Sequence, residues 1–205
     1  MEVAHYTPRA LRALGFLILL SFYCTAAVAQ EQTVSVSLSV PELRVGQSTD
    51  LTLSYNATDN AKTSGLGLRL HFDSSALEMG ATSDTLREGA QPFQIRSDSP
   101  DFDNNPDTDK FFLTSWADLS GVGWPDIASQ PVTLYVVPLT AKSDFAGEVL
   151  AFSGYSAPGY TLVAADITIV KAEAPVITLL GETEASLELG STYTDAGATA
   201  IDNID

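Results

Sequence analysis

The sequence predicts an all-β protein built around an antiparallel jelly-roll or immunoglobulin-like β-sandwich. Apolar and polar residues alternate with a period of two along most of the chain, and turn-forming residues recur about every ten positions. No window shows the apolar spacing of three and four residues that an amphipathic helix requires. The stretch from 30 to 171 is long enough to bury one such core.

The first 29 residues have the pattern of a secretory signal peptide. Two arginines precede an apolar run over residues 14 to 23, and Ala27-Val28-Ala29 supplies the small residues of a cleavage site. The apolar run is about ten residues long, shorter than the roughly 20 that a spanning helix needs. We therefore expect a secreted or cell-surface protein, cleaved after Ala29, with no membrane insertion after cleavage.

The chain is acidic, with 26 Asp and Glu residues against 10 Lys and Arg and a formal net charge of −16. Such a surface disfavours nucleic acid and anionic membranes as partners and suits calcium, salty water or both. The single cysteine, Cys24, lies in the predicted signal peptide, so the exported part would hold no disulfide. An apolar fraction of 45% is ordinary for a globular chain and argues against disorder.

The strands of the sandwich are predicted in order from their alternation. In TVSVSLSV, four apolar residues alternate with Thr and Ser, which predicts one buried face. The later candidates, each bounded by Gly, Pro, Asn, Asp or Ser, are STDLTLSYNA, GLGLRLHFD, FFLTSWA, PVTLYVVPL, GEVLAFSGY and YTLVAADITIV. FFLTSWA has apolar residues on both faces, which predicts a central strand with Trp116 in the core.

The pattern changes at KAEAP, residues 171 to 175, which is typical of a linker. Two strand-like pieces follow, VITLLG and ASLELG, in a segment of roughly 30 residues that cannot bury a core of its own. The segment either docks on the sandwich or is the start of a second domain, and we favour the second alternative.

The segment APVITLLGETEASLELGSTYTDAGATAIDNID resembles the start of the bacterial immunoglobulin-like repeats found in tandem in large secreted and surface proteins and in some pesticidal crystal proteins. The resemblance rests on Pro-x-Ile-x-Leu-x-Gly, on Leu-Glu-Leu-Gly, on Tyr-Thr-Asp-Ala-Gly-Ala and on Ala-x-Asp-Asn-x-Asp. It covers the first third to half of a repeat. It implies that residues 172 to 205 are a linker and a truncated repeat, a partial second immunoglobulin-like domain.

The stretch VSVSLSVPELRVGQSTDLTLSYNATDNAKTSGLGLRLHFDSSALEM resembles the opening of cohesin-type domains. The shared features are a first strand, a Val-Gly-Gln turn, a second strand, a glycine-rich entry to a third, and HFDSSALEM where the family has a tyrosine-aspartate and a leucine. Cohesins share a jelly-roll sandwich with certain carbohydrate-binding modules. The resemblance implies a cohesin-like β-sandwich over residues 30 to 171.

An acid-rich stretch, SDSPDFDNNPDTD, precedes the FFLTSWA strand. Carboxylate and amide oxygens at alternate positions of a tight loop can converge on calcium, which predicts a calcium site. The ligands would be Asp101, Asp103, Asn105, Asp107 and Asp109. A helical calcium-binding loop is excluded because its sixth position would be proline and its twelfth phenylalanine. The alternative is a solvated turn in which Asp and Asn cap their own backbone.

The stretch SWADLSGVGWP offers a candidate ligand-binding pair. Trp124, after two glycines and before a proline, is predicted to be an exposed aromatic that can stack on a sugar ring, with Asp118 binding hydroxyls.

Catalysis has little support in the sequence. The exported part has one histidine, His71, so a Ser-His-Asp set would have to use it, and FSGYSAPG lacks the Gly-x-Ser-x-Gly elbow. Paired carboxylates for glycoside hydrolysis are not singled out. We expect no enzyme here.

These observations predict a non-catalytic secreted or cell-surface binding or adhesion module, the N-terminal piece of a larger multidomain protein. Its partner would be a polysaccharide or a surface protein. The alternative is a carbohydrate-binding accessory module of an extracellular polysaccharide-degrading enzyme whose catalytic domain lies beyond residue 205. A free-standing hydrolase explains the sequence least well.

Overall fold

A computed structural model describes residues 29–126, 129–182, 184 and 186–201. The predicted signal peptide lies outside the described residues except for Ala29. No helix in these residues is long and apolar enough to cross a membrane. The described chain forms a 3-10 helix (Thr58–Asn60) and the strands β1 (Gln30–Leu38), β2 (Glu42–Leu43), β3 (Ser48–Ala57), β4 (Gly65–Phe72), β5 (Leu77–Met79), β6 (Gln94–Ser97), β7 (Lys110–Ala117), β8 (Val132–Ala141), β9 (Glu148–Tyr155), β10 (Tyr160–Ala164), β11 (Ile167–Lys171), β12 (Val176–Leu179) and β13 (Ala198–Ile201).

Strands β1 to β11 form two sheets that enclose a common core. Sheet A has the strand order β10-β1-β3-β8-β5, and sheet B has the order β2-β11-β9-β4-β7-β6. The predicted all-β sandwich is confirmed, and β7 is an internal strand between β4 and β6, as expected. Two neighbouring pairs, β1 with β10 and β2 with β11, are parallel, so the sheets are not purely antiparallel.

The stretch YTLVAADITIV, predicted as one strand, forms two strands in different sheets. β10 pairs with β1 in sheet A, and β11 pairs with β9 in sheet B. The partly buried apolar residues of β10 are at even positions, whereas those of β11 are at odd positions. That change of phase accompanies the crossing from one sheet to the other and was a signal available in the sequence.

The core lies between the two sheets and contains the buried side chain of Gln32, whose polar atoms are all hydrogen-bonded. Gln32 has no exposed surface. Its Nε2 donates to the Tyr55 hydroxyl at 2.8 Å and to the Gly65 carbonyl at 2.9 Å, and its Oε1 accepts from the Ala157 amide at 2.5 Å. Because its donors and acceptor are paired, this buried amide ties β1 to β3, β4 and the turn after β9 without a desolvation penalty.

The last described residues form a two-stranded antiparallel sheet of β12 and β13, and every residue of both strands is exposed. The sequence predicts ASLELG as a second strand here, but residues 186–190 contain none. A turn closed by the Ser191 amide on the Glu188 carbonyl, at 3.0 Å, takes the chain out of the extended conformation. The immunoglobulin-like identity of this segment and the domain boundaries remain predictions.

Candidate functional site

The candidate site lies on the outer face of sheet B, under the segment from residue 98 to residue 109, which we call the acidic loop. The loop connects β6 to β7 and is closed by the Asp98 amide, which donates to the Asp109 carbonyl at 2.9 Å. It reaches across β7 to the neighbouring strand β4, because Asp98 and Asp103 both contact His71.

Alternation in β4 places His71 on the outer face. Leu68 and Leu70 of the same strand point into the core, so Arg69 and His71 point away from it. A histidine on an outer face is ordinarily solvated, yet His71 has 0% exposed surface. The acidic loop and the ring of Phe111, 5.7 Å away between centroids, cover it.

Both ring nitrogens of His71 have close polar partners. Nδ1 lies 2.6 Å from Asp98 Oδ2 and 3.7 Å from Asp103 Oδ2. Nε2 lies 2.7 Å from the hydroxyl of Ser153 on β9. The imidazole therefore joins the loop to two adjacent strands of sheet B.

The order Ser153, His71, Asp98 has the hydrogen-bond pattern of a catalytic serine triad. The sequence singles out His71 for such a set but does not identify Ser153 or Asp98 as its partners. Acyl transfer requires the imidazole to pass a proton to a leaving group, and a ring without exposed surface does not reach one. A second carboxylate, Asp103, also faces Nδ1. We interpret these side chains as holding the acidic loop against sheet B, and we call His71, Asp98, Asp103 and Ser153 the clamp.

The five predicted calcium ligands do not form one cluster of carboxylates. Asp103 points at His71, whereas Asp109 accepts from the Ser74 amide at 2.7 Å and from its hydroxyl at 2.8 Å. Asp101 and Asp107 are exposed. The calcium site stays a prediction.

Several side chains of the acidic loop bind the loop itself. Asn105 Oδ1 accepts from the Asp107 amide at 3.2 Å, and Asp103 Oδ1 accepts from the Asn105 amide at 3.4 Å. The Thr108 hydroxyl donates to Asp103 Oδ2 at 3.0 Å. This is the self-capping arrangement that the sequence offered as the alternative to calcium.

Hydrogen bonds from Ser74 also affect the ionisation of Asp109. Burial acts to raise the pKa of this carboxyl, but the Ser74 amide and hydroxyl together with the charge of Lys110 lower it below the usual range. The ionised form is therefore the one that the folded loop stabilises.

An aromatic and cationic stack lies beside the clamp on the same face. The Arg69 guanidinium carbon lies 4.1 Å from the centroid of the Phe102 ring and 5.1 Å from that of Tyr155. The Phe102 ring packs edge-on against Phe111 at 5.7 Å. Tyr155 is 67% exposed and Phe102 is 42% exposed. We call Arg69, Phe102 and Tyr155 the arginine stack.

The prediction that Trp124 is an exposed, sugar-stacking aromatic is wrong. Its side chain has 0% exposed surface, and its ring lies 4.8 Å from that of Tyr55 and 5.8 Å from that of Trp116. Its Nε1–H donates to the Glu88 carbonyl at 2.9 Å. A Cβ on Gly123 would lie 2.5 Å from Lys62 Cβ, so the glycine lets this loop approach the sandwich closely. Trp116 is buried at 3%, as expected.

The second predicted ligand-binding residue, Asp118, organises its own loop. Its carboxylate accepts from the Ser120 amide and hydroxyl and from the amides of Gly121 and Gly123, at 2.8 to 3.0 Å. Desolvation acts to raise the pKa of Asp118, but these hydrogen bonds lower it below the usual range. Its role in binding a ligand stays a prediction.

No protein-family model and no curated protein matches the chain. Among solved structures, it is similar to a cohesin module from a Clostridium perfringens family 33 glycoside hydrolase, with 12% identity, 69% of this chain and 97% of that chain covered, and a TM-score of 0.45. It is also similar to the seventh ScaB type I cohesin of Pseudobacteroides cellulosolvens (14%, 77% and 99%, 0.47) and to a type I cohesin–dockerin complex from Clostridium thermocellum (10%, 68% and 99%, 0.48).

The likeness to these cohesin modules concerns the β-sandwich fold alone. The architecture described above rests on the strand order and register of the two sheets.

Proposed function

We propose that residues 30 to 171 form a non-catalytic binding module of an exported multidomain protein, and that the module recognises a protein partner through the outer face of sheet B. The observation that carries the proposal is the arginine stack. Export is supported by the signal-peptide pattern of the first 29 residues.

The arginine stack has the composition of an interface centre. Aromatic residues and arginine are enriched in the cores of protein interfaces and among the residues that dominate binding energy. Arg69 is held in place before any partner arrives, because its guanidinium lies over the Phe102 and Tyr155 rings and its Nη2 donates to the Tyr155 hydroxyl at 3.4 Å. A side chain that is already ordered loses less conformational entropy on binding.

The arginine side chains of this face, which also carries the exposed acids of the acidic loop, indicate the chemistry of the partner. Arg69 and Arg96 are both on sheet B, in a chain with a formal net charge of −16. A partner that places a carboxylate on the guanidinium and an apolar group on the exposed Tyr155 and Phe102 rings would complement this face.

The alternative proposal is a carbohydrate-binding module. Its predicted stacking residue, Trp124, is fully buried, which removes the observation that favoured it. Tyr155 is the exposed aromatic on which a sugar ring could stack instead. Protein and polysaccharide partners therefore need to be tested side by side.

The experiment measures binding of the purified chain to a panel of dockerins and soluble polysaccharides. Dockerins are the first probes because a dockerin is the partner in the cohesin–dockerin complex named above. We expect a protein ligand to bind the wild type and to bind Arg69→Ala and Tyr155→Ala at least about tenfold more weakly, with an affinity that falls as salt is raised.

Ser35→Ala is the matched control, because Ser35 is exposed on the outer face of sheet A. It should bind as the wild type does. Binding of a protein ligand that is insensitive to Arg69→Ala and Tyr155→Ala but lost in Ser35→Ala would place the interface on the other sheet. Binding of polysaccharide alone would favour the alternative.

A further inference from the structure

Three potential metal ligands converge beneath the acidic loop. The ligand atoms of His71, Asp98 and Asp103 all lie within 4.8 Å of one another. In the part of the chain that the structure describes, this is the one such group of three or more His, Cys, Asp or Glu side chains. The three side chains are 0%, 0% and 4% exposed, so water contributes little to their solvation.

The charges of this cluster are unbalanced without a cation. Two buried carboxylates, Asp98 and Asp103, face the same nitrogen of His71, and a single N–H cannot neutralise both. Buried carboxylates are costly unless they are paired or coordinate a metal. A divalent cation would balance both negative charges while the imidazole stays neutral, which is the form that binds metals.

The surroundings of the cluster suit ligation. When the Nε2–H of the imidazole donates to the Ser153 hydroxyl, 2.7 Å away, Nδ1 presents its lone pair to the two carboxylates. Metal-bound histidines usually have such a partner on the second nitrogen. The carboxylates are held in turn by the Phe102 amide, 3.2 Å from Asp98 Oδ1, and by the Thr108 hydroxyl, 3.0 Å from Asp103 Oδ2.

We infer that His71, Asp98 and Asp103 bind one Zn²⁺ ion. An imidazole and two carboxylates are ligands of Zn²⁺, whereas Ca²⁺ takes oxygen ligands. Among first-row divalent ions, Zn²⁺ is bound more tightly than Mn²⁺ by such ligands. Tetrahedral Zn²⁺ keeps its ligand atoms about 3.4 Å apart. The distances from Nδ1 to the two carboxylates, 2.6 and 3.7 Å, lie on either side of that value, and all three ligand atoms lie within 4.8 Å of one another. Zn²⁺ binding would therefore move individual ligand atoms by up to about 1 Å.

The inferred ion would act as a cross-link between the acidic loop and β4. The zinc site is distinct from the proposed partner-binding surface, since the cluster is buried under the acidic loop and requires no partner molecule. Its structural consequence is to fix Phe102, the residue before Asp103, beside Arg69. Zinc binding and partner binding can therefore be measured separately.

The test uses the purified chain, stripped of metal with a chelator, and Co²⁺ as a spectroscopic substitute for Zn²⁺. We expect one equivalent of Co²⁺ to give a saturable visible d–d spectrum that Zn²⁺ abolishes by competition. Asp103→Asn, which keeps the acceptor for Thr108, should bind Zn²⁺ at least about 100-fold more weakly. Ser153→Ala, which removes only the partner of Nε2, should weaken binding about 10- to 100-fold.

Asp107→Asn is the matched control, because Asp107 is an exposed acid of the same loop, and it should bind Zn²⁺ as the wild type does. Circular dichroism checks that each variant is folded. The inference is overturned if the wild type gives no saturable Co²⁺ spectrum, or if Asp103→Asn and Ser153→Ala bind like the wild type. A rise in melting temperature with Ca²⁺ that Zn²⁺ does not reproduce would also overturn it and would favour the calcium loop predicted from the sequence.

Discussion

The outer face of sheet A carries hydroxyls, whereas the outer face of sheet B carries a guanidinium, a covered imidazole and aromatic rings. On sheet A, Ser35 lies opposite Ser54 and Ser37 lies opposite Thr52 in the paired strands β1 and β3. On sheet B, Arg69 and His71 hold the same kind of outward position. The same alternation builds both faces, so alternation decides which residues point outward and their chemistry decides what each face can do.

The largest difference in stability is expected between replacing a buried aromatic residue of the core and replacing an exposed aromatic residue on the outer face of sheet B. Trp124→Ala removes a fully buried indole and is expected to lower the free energy of unfolding by about 3–5 kcal/mol. Tyr155→Ala, at a 67% exposed position, should lower it by less than about 1 kcal/mol. Urea unfolding followed by circular dichroism measures both. Similar losses for the two variants would mean that the outer face is needed for stability.

The next largest difference in stability is expected between removing the buried imidazole of His71 and removing an exposed hydroxyl on the outer face of sheet A. His71→Ala leaves the buried carboxylates of Asp98 and Asp103 without their common partner, and we expect a loss of about 3 kcal/mol in chelator. Ser35→Ala should change the free energy of unfolding by no more than about 0.5 kcal/mol. A loss for His71→Ala as small as that of the control would show that the loop does not depend on the clamp.

A smaller, pH-dependent change in the free energy of unfolding is expected at the acid-rich end of sheet B. Burial raises the pKa of Glu148, the charges of Asp73 and Asp107 add to this, and the Asp73 amide opposes it. A raised folded-state pKa stabilises the fold fully below the unfolded value, and this contribution is lost as pH rises through the folded value. Glu148→Gln should therefore gain stability at pH 7, by under about 1 kcal/mol, and gain nothing at about pH 3.

In the same unfolding experiments, Asp109→Asn should change the stability in the direction opposite to that of Glu148→Gln. Because the folded-state pKa of Asp109 is lowered, its contribution is present above the unfolded value and is lost as pH falls through the folded one. This variant should be less stable than the wild type at pH 7, by at most about 1 kcal/mol, and the difference should shrink in acid. If Glu148→Gln and Asp109→Asn changed with pH in the same direction, these assignments would be wrong.

The smallest effect should come from the segment after the sandwich. Val176 and Ile177 are 67% and 69% exposed, in contrast to the buried apolar residues of both sheets. Truncation before Pro175 is expected to leave the melting temperature of the sandwich unchanged within about 1 °C, since surface changes away from a core cost little. A substantial fall, measured by calorimetry, would favour the alternative that this segment docks on the first domain.

The strands were largely predictable because their signal is local. STDLTLSYNA coincides with β3, and the predicted FFLTSWA strand is contained in β7. The short strands β2, β5 and β6 were missed, because two to four residues are too few to show a period. The split of YTLVAADITIV was missed although the change of phase was present in the sequence.

The candidate site was less predictable because its members are distant in the chain. Asp98 is 27 residues from His71, and Ser153 is 82 residues from it. Spacing along the sequence cannot reveal such a meeting. It can be anticipated only once the register of β4 against β9, which places Arg69 opposite Ser153, is known.

By itself, the sequence determined an acidic all-β chain whose period-two pattern fixed most strands and the residues that share a face. Only the tertiary structure decided that Trp124 closes the core and that the acidic loop covers His71 on an outer face. The physical reason is that side-chain alternation is set by the backbone of one strand, whereas burial is set by whatever other part of the chain packs against it.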